Sequence, residues 1–299
     1  MSVENHRDRR GRGENIGMTV ERIVVIGAGT MGNGIAQTAA VSGYQVTMTD
    51  VDKAALERGK AAIDKSVDKL AGKGVIDESQ REAASTIAAT TDIGAAADAQ
   101  LVIEAATENP EIKLGLFKVL DQIAPEGAVL ATNTSSISIT RIAGATSRPD
   151  RIIGMHFFNP VPLMSLLEVI RGLDTSDATR DLVFEVGRKM GKEPVEAKDS
   201  PGFVANRLIC PMINEAIFAL QEGLASAEDI DTIMKLGMSH PIGPLALADL
   251  IGLDVVLFIV EVLHRDFGDD KYRPARLLRQ MVDAGNLGRK SGKGFYEYN

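Results

Sequence analysis

Only four histidines occur in the 299 residues, and one of them, His156, stands in GMHFFNPVPLMSLLEVI, a stretch that otherwise reads as buried strand. The segment RIIGMHFFNPVP runs into Pro160 and Pro162, residues that stop a strand, so His156 falls near its carboxyl end. In LLEVI a period of two sets Leu166, Glu168 and Ile170 on one face and Leu167 and Val169 on the other. Glu168 therefore points where an apolar side chain is expected. A buried carboxylate needs a partner, and an imidazole held by a carboxylate is a recurring form of general base. Taken alone, a strand histidine is more often a satisfied core residue.

A second candidate cluster lies upstream. RIVVIGAG is a short β-branched run ending in glycines, TMGNGIAQTAAVSG has small and apolar residues at helical spacing up to Gly43, and YQVTMTD reads as a second strand. Strand, helix and strand in this order make a βαβ unit. Between the first strand and the helix, Gly27, Ala28, Gly29, Thr30, Met31 and Gly32 spell G-x-G-x-x-G. The first glycine permits a tight turn, the second lets backbone approach a pyrophosphate, and the third allows close helix packing. An anion there meets unpaired N–H groups at a helix N-terminus. Glycines also mark ordinary turns, so the motif takes its weight from its context. Asp50 ends the second strand, where an acid accepts hydrogen bonds from adenosine ribose hydroxyls; the other reading is that it opens a turn or caps the helix at Lys53. The set points to a dinucleotide, and the acid to NAD rather than NADP.

These side chains need a sheet to hold them. Strand candidates recur at QLVIEAA, AVLATN, RIIGMHF and LLEVI, separated by helix-like stretches such as IKLGLFKVLDQIA. A long helical segment runs from Lys53 to about Ala71, breaks at GKG and is followed by a helix near Glu78 to Ala84. Such alternation predicts an α/β, Rossmann-type doubly wound sheet, whose ligands bind outside the carboxyl ends of the strands. After EAKDSPG no convincing strand returns before the last few residues. Instead Ile209, Met212, Ile213, Ala216, Ile217 and Leu220 follow one helix face, with Pro211 expected to kink it. SAEDIDTIMKLG opens on a serine three residues before Asp229, an N-cap arrangement, and closes on Gly237. The expected organisation is a flexible tail over residues 1–21, an NAD-binding domain over 22–199 and a smaller all-helical domain over 200–299.

Composition narrows the function classes. The net charge of −8 and a basic run, HRDRRGR, confined to the first dozen residues argue against a nucleic-acid partner. The single Cys210 forms no internal disulfide, reads as an inert core thiol and fits a reducing compartment; no Cys/His spacing suits zinc, and no metal is expected. The N-terminal residues lack the apolar centre of a secretory signal. DLIGLDVVLFIVEVL, the longest apolar helical stretch, is interrupted by Gly252 and Asp254 and falls short of a span. A soluble cytoplasmic protein with no membrane partner is expected.

At this point the chain resembles the L-3-hydroxyacyl-CoA dehydrogenase family, most closely its bacterial 3-hydroxybutyryl-CoA dehydrogenase branch, over residues 22–298. The resemblance rests on GAGTMGNGIAQ, EAATEN, NTSSISI, HFFNPVPLMSLLEVI, KDSPGFVANRL, GPLALADLIGLD and GRKSGKGFYEY, in family order. It implies NAD as cofactor, a short acyl-CoA as substrate, His156 as catalytic base, Glu168 as its orienting partner, and Ser135 and Asn206 around the reacting oxygen. It adds Glu108, Lys113, Ser135, Asn159 and Lys290 to the cofactor surroundings, sets Ser66 and Lys73 where that family contacts coenzyme A, and implies a homodimer through the helical domain.

Some of these residues carry a reading of their own. Ser135 and Ser136 follow the strand AVLATN, where a hydroxyl can donate to a substrate oxygen or simply cap the next helix. Asn206 lies on the apolar stripe of its helix, three residues before Ile209, so its amide needs a structural or a ligand partner. Ser66 and Lys73 lie seven apart, two helical turns, and otherwise read as a solvated face. His240 and His264 are expected in a loop and at a helix end, and His6 in the tail. Two other readings stay open: a dehydrogenase of a free hydroxy acid or sugar acid on the same scaffold, and a nucleotide-binding relative without turnover.

Overall fold

A computed structural model describes residues 19–298; the expected tail falls largely on residues 1–18, outside the described residues. From residue 19 through Asp199, apart from residues 135–138, the chain forms one compact unit. Its elements are β1 (Arg22–Ile26), α1 (Thr30–Val41), β2 (Gln45–Thr49), α2 (Lys53–Gly72), α3 (Glu78–Ser85), β3 (Ala88–Thr90) and β4 (Leu101–Glu104). Then come α4 (Pro110–Ile123), β5 (Val129–Thr132), α5 (Ile139–Ala143), β6 (Ile152–Phe157), β7 (Leu166–Arg171), α6 (Asp177–Lys189) and β8 (Glu193–Lys198).

The sheet has eight strands in the order β3-β2-β1-β4-β5-β6-β7-β8. Every neighbouring pair is parallel except β6 and β7. It is therefore a doubly wound sheet, with the reversal of strand order between β1 and β4 opening a crevice at the carboxyl ends. The central strands are buried on both faces: β4, β5 and β6 have no exposed residue. That is why they read as continuous apolar runs. One face is covered by α1, α2, α3 and α6, whose Ile35, Ile63, Val67, Ala84, Val183 and Val186 share a core with Ile103, Met155 and Val169. Each of the Ile, Val and Met side chains among them contributes about 1.5–3 kcal/mol on burial.

Local signals set the helix ends. Asp52 caps α2 by accepting from Ala54 N–H, and Asp77 with Gln80 forms a capping box at α3. Asp50 is thus not the cap of α2. Two strands escape the periodicity: β3 is three residues long, and β8, EPVEAK, carries charges and a proline. Both lie at sheet edges, where a single hydrogen-bonding neighbour suffices and proline is tolerated.

The second unit comprises residues 135–138 and 200–298. It holds α7 (Ala205–Gln221), α8 (Ala227–Gly237), α9 (Pro244–Ile251), α10 (Leu253–Phe267) and α11 (Arg276–Asp283). Its core gathers Ile213, Ile217, Leu245, Val256, Leu263 and Leu278, together with Cys210. Burial pushes the Cys210 thiol up to about 12. Pro211 sits inside α7, which runs unbroken, and Ser226 caps α8 by accepting from Asp229 N–H. Among the described residues no strand follows α11, where isolated bridges tie Lys293 to Gly288 and Glu297. Those residues are held by Asp249, which accepts the N–H groups of Phe295 and Tyr296 and the Tyr298 hydroxyl. No helix among the described residues is long and apolar enough to cross a membrane.

Candidate active site

The glycine turn follows β1 directly. Gly27 has φ +102°, a conformation that an L side chain resists, and its N–H donates to Thr49 O at 2.7 Å. A Cβ on Gly32 would fall 1.8 Å from Gly27 O, so the third glycine brings α1 onto the turn. A Cβ on Gly29 would meet nothing within 4 Å, which leaves open space over the first turn of α1. Asp50 braces the loop: its Oδ2 accepts Ala28 N–H at 2.8 Å and its Oδ1 accepts Asp52 N–H at 3.0 Å. Each carboxylate oxygen keeps a further lone pair for a ligand hydroxyl.

Two clefts flank the N-terminus of α1. One, of about 280 Å³, is lined by Ala28, Gly29, Thr30, Asn33, Arg58 and Gly59. The other, of about 210 Å³, is lined by Met31, Ala105, Ala106, Thr107, Glu108, Lys113 and Asn133, at the carboxyl ends of β4 and β5. An open cradle between two clefts, with helix N–H groups at its centre, fits a dinucleotide such as NAD.

Within the second cleft Lys113 is not a solvated cation. It is 1% exposed and its ammonium pairs with Glu104, 0% exposed, and reaches Thr132 Oγ1 at 3.3 Å. Breaking such a buried pair by removing one partner costs roughly 3–5 kcal/mol. Glu104 and Thr132 were not singled out from the sequence. The available signal was an acid at the end of an otherwise apolar strand, LVIE, with a lysine nine residues on. Glu108 is exposed and accepts from Thr134 Oγ1 at 2.7 Å. Arg58, also overlooked, lines the first cleft and lies 3.3 Å from Asp52.

His156 and Glu168 meet across the one antiparallel pair of the sheet, directly opposite each other in the β6–β7 register. Nδ1 of His156 lies 2.7 Å from Oε2 of Glu168, with the residues 7% and 4% exposed. Phe158 tilts over the imidazole with ring centroids 4.7 Å apart. Around the pair the backbone is pinned. Asn133 Oδ1 accepts Phe157 N–H at 2.9 Å, and Lys192 Nζ donates to Val161 O and Met164 O in the β6–β7 connection. Burial lowers the Lys192 pKa below the usual lysine value.

The remaining expected residues are distributed as follows. Asn159 is exposed just past β6. Ser66 is half-buried on α2, and Lys73, the residue that ends that helix, is exposed. In the second unit Asn206 Nδ2 lies 3.5 Å from Ser135 O, at the outer limit for a hydrogen bond. Ser135 and Ser136 precede the first residue of α5 by four and three positions, so neither stands at its N-cap. Lys290 Nζ pairs with Asp254 at 2.7 Å. Among the described residues no group of three or more His, Cys, Asp or Glu could hold a metal ion.

Comparison with known proteins gives a consistent picture. Residues 22–200 match the family model for the 3-hydroxyacyl-CoA dehydrogenase NAD binding domain, and residues 202–298 that for its C-terminal domain. The chain is 57% identical to a probable 3-hydroxybutyryl-CoA dehydrogenase of Deinococcus radiodurans, over 92% of this chain and 99% of that protein. It is 44% identical to the human mitochondrial hydroxyacyl-coenzyme A dehydrogenase, over 93% and 91% of the two chains. The solved (S)-3-hydroxybutyryl-CoA dehydrogenase of Ralstonia eutropha superposes with a TM-score of 0.90 at 53% identity, covering 94% of this chain and 100% of that one.

Proposed function

The chain belongs to the 3-hydroxyacyl-CoA dehydrogenase family and is an NAD-dependent oxidoreductase, and from that premise we propose that it interconverts a short L-3-hydroxyacyl-CoA, 3-hydroxybutyryl-CoA foremost, and the 3-ketoacyl-CoA. The observation that carries the mechanism is the 2.7 Å bond between His156 Nδ1 and Glu168 Oε2. With the Nδ1 proton donated to the carboxylate, the basic lone pair lies on Nε2. In oxidation His156 takes the C3 hydroxyl proton through that nitrogen, and in reduction it returns it. Glu168 stabilises the imidazolium so formed. NAD, when bound, supplies the hydride chemistry at C3.

The other roles follow the same reading. Gly27 to Gly32 hold the pyrophosphate and Asp50 the adenosine ribose, while Glu108, Lys113, Asn159 and Lys290 surround the rest of the cofactor. Ser135 and Asn206 donate to the reacting oxygen as its charge changes. Ser66 and Lys73 hold coenzyme A. The protein works in the cytoplasm as a homodimer through its helical domain, on which Leu208, Ile233, Leu236, Leu250 and Phe258 are exposed.

The test is NADH oxidation with acetoacetyl-CoA against acetoacetate alone. Binding energy from the distant nucleotide aligns the reacting carbon, so the free acid is expected to fail in kcat as well as KM. Equal turnover of the two would make the protein a dehydrogenase of free hydroxy acids instead.

A further inference from the structure

We propose that Glu104 is a positioning residue for the nicotinamide half of the cofactor, acting through Lys113 and through the Ala105–Thr107 backbone; this rests on the NAD site described above. Glu104 ends β4 and takes four donors. Its Oε1 accepts Ala106 N–H at 2.9 Å and Thr107 N–H at 3.4 Å, and its Oε2 accepts the Thr132 hydroxyl at 2.7 Å and the Lys113 ammonium. Thr132 Oγ1 in turn accepts Thr134 N–H at 3.2 Å, so the network joins the ends of β4 and β5.

Two walls of the 210 Å³ cleft depend on this one carboxylate. The first is Lys113, whose three N–H donors exceed the two partners that Glu104 and Thr132 provide, leaving donor capacity on a residue that lines the cleft. The second is the loop after β4. A Cβ on Gly27 would fall 2.6 Å from Ala105 O and 2.7 Å from Ala106 Cα, so the glycine turn rests on the backbone that Glu104 holds. A buried ion pair is not by itself a gain in stability, because desolvation offsets the attraction and apolar residues of similar volume do as well. Its worth lies in where it holds an ammonium group and two peptide N–H groups.

The experiment separates this role from a structural one. NADH Kd by fluorescence titration, ADP affinity by competition and Tm are measured for the full chain and for Glu104→Gln, Lys113→Met and the double variant, all without acyl substrate. Glu104→Gln leaves the lysine buried and unpaired, so Tm falls and the NADH Kd rises. In the double variant both charges are gone and Tm recovers, yet the NADH Kd stays raised by roughly tenfold or more, the scale of a lost charge-assisted hydrogen bond. ADP, which lacks the nicotinamide half but still meets the glycine turn, weakens by a smaller factor than NADH. Recovery of the NADH Kd along with Tm, or equal weakening of ADP, would overturn the proposal. Should the double variant not fold, Glu104→Asp keeps the charge and withdraws it from Ala106; an unchanged NADH Kd there is equally fatal. An unaltered chain that binds no NADH would overturn the cofactor site itself, and an inert thioester with normal NADH binding would overturn only the substrate.

Discussion

Nδ1 of His156 lies 2.7 Å from the Glu168 carboxylate, a contact that holds the ring in one orientation and, in the proposed mechanism, keeps its proton on Nδ1. Replacing it with glutamine keeps a polar group of similar reach and removes the base. His156→Gln is expected to lower kcat by roughly 10²- to 10⁴-fold, the usual contribution of a positioned acid–base group, with the NADH Kd unchanged. Glu168→Gln is expected to lower kcat as well, by a smaller factor, since the imidazolium loses its counter-charge while the ring nitrogen remains. Steady-state kinetics alongside NADH titration checks both, and a near-normal kcat in His156→Gln would remove the proposed base. The two residue types and the face of Glu168 were legible in LLEVI and RIIGMHF. Their distance was not, because they lie twelve positions apart in the chain and only the β6–β7 register sets them opposite.

At the level of elements, the β1–α1 turn combines a covering constraint with an open one. The Cβ of Gly32→Ala would collide with Gly27 O at 1.8 Å, so the first turn of α1 must shift, at a cost of about 1–3 kcal/mol for overpacking. The Cβ of Gly29→Ala meets no protein atom within 4 Å and projects into space assigned to the pyrophosphate. Gly32→Ala is therefore expected to lower Tm, and Gly29→Ala to raise the NADH Kd at unchanged Tm. Thermal melts with NADH titration separate the two, and a normal NADH Kd in Gly29→Ala would move the pyrophosphate elsewhere. The βαβ unit, α2, α3 and α8 were readable because caps and periodicity are local. The strands β3 and β8 were not, since short edge strands take their form from a neighbour rather than from their own residues.

For the molecule as a whole, the second unit exposes Leu208 on α7, Ile233 and Leu236 on α8, Leu250 on α9 and Phe258 on α10. Leu236 and Leu208 are 81% and 68% exposed, far more than a buried face of their helices would allow. Burying large apolar side chains against a second copy gains about 1.5–3 kcal/mol apiece before the cost of association. Size-exclusion chromatography with light scattering is expected to report a dimer, and Leu208→Glu with Leu236→Glu to shift it to monomer. A monomer at micromolar concentration in the unaltered chain would remove the homodimer.

What the chain determines by itself is whatever depends on neighbours a few residues apart: the glycine turn with its following helix, the acid that ends the second strand, the amphipathic stripe of α7 and the change from alternating elements to helices after Asp199. Each is governed by backbone sterics or by a period of two or 3.6 residues. Tertiary structure decided which polar groups are partners. Glu104, Lys113 and Thr132 come from β4, α4 and β5, and they meet only because parallel β4 and β5 align Glu104 with Thr132. Likewise β7 runs antiparallel to β6, which sets Glu168 beside His156. A parallel crossover there would have set other residues opposite. Strand order, direction and pairing are chosen by packing across the whole sheet, whereas the period of two within a strand fixes only which face each side chain takes.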